Sequence, residues 1–165
     1  MVIGIERLLL HMSWANQQTI EHLQRLPDEA LGAFATNKDW QVSEIVYHIA
    51  SSGDHYVYRI CGKWADVPGE SITKPEKVSD LSLLKEQVLK IDDALFECSK
   101  LDDIKLEFNN AEGRQVRRWR STILSQAIHH ATEHRAQIAS AIESKGFPVL
   151  DLDELDLWSY EMAKG

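Results

Sequence analysis

Seven histidines in 165 residues set the first question, because neutral imidazole is a favoured ligand of Zn, Ni, Cu and Fe. His130 and His134 stand at i and i+4, a spacing that brings two side chains together on one helix face and lets them grip a single divalent cation. At about 100° per residue, Ile123, Ala127, His130, Ile138 and Ala141 all fall within roughly 40° of His134, so the pair belongs to the side turned toward a core. His129 lies roughly 140° away and is expected in solvent. Two buried imidazoles without a shared partner leave up to four ring nitrogens seeking hydrogen bonds. A cation satisfies one on each ring; the competing reading is a pair of hydrogen-bonded core residues. A two-ring clamp also needs a third arm.

His48 shares a helical face with Glu44, Ser51, Ser52, His55 and Arg59, roughly 110° from the apolar stripe of the same segment. That face reads as solvated surface or as the wall of a polar cleft, with His55 available as a fourth ligand or a substrate contact. Asn16 interrupts the apolar stripe of Met12, Thr19 and Leu23. A core amide needs a partner; it can orient a ligand, touch substrate or tie helices together.

The elements that must position these residues are helices. From Gly4 to Leu26 apolar residues recur at steps of three and four, and Pro27, Asp28 and Gly32 end the run. A second helix is expected from about Val42 to Ile60, followed by a linker of about fifteen residues carrying Gly62, Pro68, Gly69 and Pro75. A third, capped by Ser79 or Asp80, carries Leu84, Val88, Ile91, Leu95 and Cys98 on one stripe. Between Ile104 and Trp119 two short extended runs flank Asn109 to Gly113, which predicts a small hairpin. The last long helix begins near Ser121 or Thr122 and ends at Lys145, before Gly146 and Pro148. A tail helix is expected around Asp153 to Met162, with Leu155, Trp158 and Met162 facing inward. No repeat or change of composition divides the chain, so residues 1–165 read as one all-α four-helix bundle with a hairpin insert.

Composition narrows the function classes. With 18 Lys and Arg against 26 Asp and Glu, the net charge of -8 argues against nucleic-acid binding. The basic run from Arg114 to Arg120 is too short to reverse that. No apolar stretch reaches the roughly 18 residues of a membrane span, and no secretory leader is evident at the N-terminus. A soluble, cytoplasmic protein is the expectation. Cys61 and Cys98 form no CxxC motif and are expected as reduced packing thiols.

Several segments together resemble the DinB/YfiT-like family of small metal-binding helical bundles over nearly the whole length. They are Trp14-Ala15-Asn16, the run from Val42 through His48 to Tyr56, and His130-Ala131-Thr132-Glu133-His134-Arg135-Ala136-Gln137. Asn110-Ala111-Glu112-Gly113 and Leu155-Asp156-Leu157-Trp158-Ser159-Tyr160 are similar to family positions as well. The most specific element is His-x-x-x-His-Arg-x-Gln with an upstream His; Ala136 departs from the Gly often found there. The resemblance implies an up-down-down-up bundle, often a homodimer, with His48, His130 and His134 as the three ligands of a solvent-open divalent metal. It also implies, for some members, transfer or isomerisation reactions that use low-molecular-weight thiols.

Three imidazoles and an open position suit catalysis, because the ion can ionise a bound water or thiol. The expectation is therefore a metal-dependent enzyme of thiol-transferase or hydrolase type acting on a small molecule, with one Zn, Ni, Fe or Mn ion. Asn16 and His55 are its pocket candidates. A non-catalytic metal-binding bundle is the alternative, distinguished by a fourth protein ligand closing the site. His130-x-x-Glu133-His134 also matches the inverzincin protease pattern, but only 31 residues follow His134. Arg135 and Gln137 are expected to fix the last helix by a salt bridge or hydrogen bond. Trp14 is a candidate for a dimer contact.

Overall fold

Apolar stripes become helices where the chain can bury them, and four do so at length in the computed structural model, which describes residues 4–61, 71–110 and 112–165. They are α1 (Glu6–Leu23), α2 (Val42–Cys61), α3 (Leu81–Ser99) and α4 (Arg120–Ser144). α1 stops three residues short of Leu26, because tight turns closed by the Arg25 and Leu26 amides on the His22 and Leu23 carbonyls lead the chain to Pro27. At the end of α4, Gly146 adopts φ +76°, and the amides of Gly146 and Phe147 close on the carbonyls of Glu143 and Ile142. Pro148 then prevents continuation. Of the expected breakers after α2, Gly62, Pro68 and Gly69 lie outside the described residues.

Cross-helix pairs fix the direction of each helix. Gln24 reaches Ser82 and Asn16 reaches Asp92, so α1 and α3 run antiparallel. His48 meets His134, while Tyr56, two turns later, meets His130, so α2 and α4 are antiparallel as well. Gly53 faces Ile91 and Cys61 faces Cys98, which makes α2 and α3 parallel. The order around the bundle is α1, α3, α2, α4, with the up-down-down-up sense. A Cβ on Gly53 would stand 2.8 Å from the Ile91 methyl, so only glycine permits this approach of α2 to α3 without a shift. The core between the helices is built from Leu9, Met12, Leu23, Ile45, Val57, Leu84, Leu95, Ile138 and Ile142, all fully buried.

The expected hairpin is present as β1 (Lys105–Asn109) and β2 (Gln115–Trp119), antiparallel, with Leu106 opposite Arg118 and Phe108 opposite Val116. Residues directly opposite share a face. Leu106, Phe108, Val116 and Arg118 therefore stand on one side of the ribbon, and the Glu107–Arg117 ion pair at 3.0 Å stands on the other. Asn110 Oδ1 accepts from the amides of Glu112 and Arg114, and Gly113 takes φ +74°, closing the turn.

Two expectations require correction. The tail does not present Leu155, Trp158 and Met162 inward together: Leu155 is buried in a 3-10 turn, whereas Trp158 and Met162 are each 79% exposed on α5 (Leu157–Lys164). The cause is Asp156, whose extended backbone separates the two pieces and whose carboxylate caps α5 by accepting from the Ser159 amide, resetting the helical phase. Nor are the cysteines reduced. Parallel packing brings the ends of α2 and α3 side by side, and Cys61 and Cys98 are joined as a disulfide.

Candidate metal centre

α4 carries His130 and His134 on its inner side, and antiparallel α2 brings His48 opposite them. His134 is the most enclosed, at 7% exposure, with the other two rings half-buried. Its tautomer follows from its neighbours. Gln137, one turn on, places Oε1 2.8 Å from His134 Nδ1 and 2.8 Å from Trp40 Nε1. An indole N–H only donates, so the amide atom between them is the oxygen. His134 Nδ1 must then donate to it, and in the neutral ring this tautomer turns the Nε2 lone pair toward the other histidines.

There it meets His130 Nε2 at 3.0 Å, and His130 Nε2 lies 3.1 Å from His48 Nε2. Four donors at tetrahedral corners around Zn, with Zn–N of about 2.0–2.1 Å, stand about 3.3 Å apart. The observed separations therefore fit nitrogens that share one ion. The three ligand atoms all lie within 4.8 Å of one another, and among the described residues no fourth His, Cys, Asp or Glu joins the group. Burial, then the neighbouring His134 and His48, pushes the His130 imidazole down to about 4. His48 is lowered as well, first by burial and then by His134, against the opposing carboxylate of Glu44. These rings are thus held neutral, the form that binds metal.

The sequence model of the DinB family matches residues 1–163. The chain belongs to the DinB family. Neither the curated proteins nor the solved structures provide a match.

Around the histidines of this DinB chain, Trp40 packs edge-on against His48 at 5.3 Å and His134 at 5.7 Å between ring centres, and Tyr56 packs edge-on against His130 at 5.8 Å. Ser52 Oγ is 3.5 Å from His48 Nε2. His55, expected as a pocket contact, lies half-buried on α2, and its Nδ1 donates to the Ser51 carbonyl at 2.7 Å. Glu133 is exposed on α4, and so is His129, as its phase predicted.

Asn16 is drawn into a different structure. It is 4% exposed, donates from Nδ2 to Asp92 at 3.0 Å and accepts from Arg135 Nη1 at 2.7 Å. It thereby ties α1, α3 and α4 together, one of the three roles open to it from the sequence. Arg135 also donates to Thr132 Oγ1. Burial drives the Asp92 carboxyl up to about 7 despite Asn16 and Arg135, and drives Arg135 down to about 10 against the attraction of Asp92. Trp14 is half-buried, its ring 5.5 Å from that of Tyr160 in α5.

Sequence reasoning did not select Trp40 or Asp92, and it named Tyr56 only as the end of the family-like run on the second helix. Trp40 carries no ligand chemistry of its own, Tyr56 is marked by no spacing to the histidines, and Asp92 reads as one acid among many until α1 is laid beside α3.

Proposed function

We propose that this DinB chain is a metal-dependent enzyme in which His48, His130 and His134 hold one divalent ion and leave a coordination position for a small-molecule substrate. The observation that carries the reading is the convergence of three Nε2 atoms, with the far side of His134 fixed by Gln137. Three imidazole nitrogens with no fourth protein ligand among the described residues favour a working site over a structural one. Such an ion supplies Lewis acidity, bringing the pKa of water to about 7 and deprotonating a thiol outright. The chain's own groups orient rather than react: Gln137 keeps the proton on His134 Nδ1, and Trp40 walls one side of the cluster. Chemistry of thiol-transfer or hydrolytic type fits this arrangement, with Zn, Ni, Fe or Mn as the ion.

Elemental analysis of the purified chain beside His130→Ala tests the proposal. About one ion per chain is expected in the parent, with loss in the variant. Equal metal content in both overturns the ligand assignment. A metal-loaded parent that turns over neither thiol-plus-electrophile pairs nor simple esters and amides would favour a non-catalytic metal protein.

A further inference from the structure

Beside the histidine cluster, the hairpin leans over the junction of α2 and α4, and a solvent-open cavity of about 250 Å³ lies between them. Tyr56 forms part of its wall and also touches His130, so cavity and cluster share a residue. Two arginines line it from opposite elements, Arg59 from α2 and Arg118 from β2. Arg118 is on the same face of the ribbon as Phe108 and Val116, which also line the cavity. Arg59 is held over the Phe108 ring, its Cζ 5.1 Å from the ring centre.

Neither guanidinium forms an ion pair with any described carboxylate, although acids outnumber bases in this chain by eight. Arg118 satisfies one N–H on the carbonyl of Arg117 at 2.8 Å. The remaining donors of the two forks match an oxyanion. Phe108, Val116 and Ile123 provide apolar wall, and Asn110, Thr122 and Gln126 provide neutral polar contacts.

We propose that this cavity is the substrate-anchoring subsite, taking the oxyanion of a small, partly apolar molecule between Arg59 and Arg118 and turning the rest of it past Tyr56 toward the three histidines. The assignment of this ligand as substrate rests on the metal reading above; the anion site itself does not. At about 30 Å³ per water in the liquid, the cavity has room for about eight waters, enough for a single-ring acid.

The test is calorimetric titration of benzoate, phenyl phosphate and benzamide into the metal-free and the zinc-loaded protein. Benzoate or phenyl phosphate is expected to bind at least about tenfold more tightly than benzamide in both forms, as charge-assisted hydrogen bonds require. The preferred anion tells carboxylate from phosphate. Arg118→Gln is expected to weaken the anion by about tenfold, and Arg59→Gln by a similar factor. Because Arg59 also supports Phe108, the exposed Arg118 provides the arm that does not disturb the hairpin's packing. Equal affinity for benzoate, phenyl phosphate and benzamide, or parental affinity in both variants, overturns the proposal. Failure here with zinc binding intact retires only the subsite, whereas loss of the metal reading leaves anion binding to the metal-free protein unaffected.

Discussion

At the scale of single residues, the decisive contact is an amide oxygen. Gln137 Oε1 receives both Trp40 and His134, and that double acceptance settles which nitrogen of His134 is available. Replacing Gln137 by Ala is expected to lower zinc affinity by about 10–100-fold while the fold persists, read by competition with a chelating dye. Unchanged affinity would strip the amide of its role. The depressed imidazole of His130 sets the pH response. Protons compete for it only as the pH falls toward about 4, so its share of the metal affinity should stay nearly flat down to about pH 6 and drop below about pH 5. A midpoint near the ordinary 6.5 of histidine, in the same titration repeated across pH, would contradict this.

His130 and His134 were legible from phase alone, because both sit on one helix and the helical period is fixed. His48 was not separable from a solvated face without the family resemblance, since what makes it a candidate ligand is its position opposite α4. The bond between Trp40 and Gln137 spans 97 residues, a separation over which no local pattern operates.

At the scale of elements, the buried tie among α1, α3 and α4 does what the aliphatic core cannot: it fixes the axial position of three helices through directional bonds. Asn16 sits between Arg135 and Asp92, which form no direct ion pair among the described residues, so its loss takes a hydrogen-bond partner from each of two buried groups. Asn16→Ala is expected to cost about 2–4 kcal/mol in urea unfolding. A loss under about 0.5 kcal/mol, the level of an ordinary surface change, would show that water or rearrangement replaces the amide. The helices themselves were readable from their apolar stripes, with Pro27, Gly146 and Pro148 marking the ends of α1 and α4; neither Ser79 nor Asp80 caps α3 with its side chain, because Asp80 stands at the N-cap position but its carboxylate accepts from the Glu76 and Lys77 amides instead. The tail was misread because Leu155, Trp158 and Met162 keep a helical spacing across Asp156, where the backbone is not helical.

At the scale of the whole molecule, the long crossover makes α2 and α3 parallel, and that single topological choice brings Cys61 to Cys98. Spacing along the chain could not reveal it, because nothing local says which helices run the same way. The bridge closes a loop across a sequence separation of 37 residues. Reduction is expected to lower stability by about 2–4 kcal/mol, measured as urea midpoints with and without reductant. Coincident midpoints would show that the bridge adds nothing to the packing already present.

The same bridge engages every cysteine the chain possesses. Thiol-selective alkylating reagents should therefore find no free thiol to modify on the native, oxidised protein. If sulfur is the attacking atom in the reaction, it has to arrive from outside, and brief incubation with iodoacetamide, removed before any thiol is added, should leave both the mass and the turnover of the protein untouched.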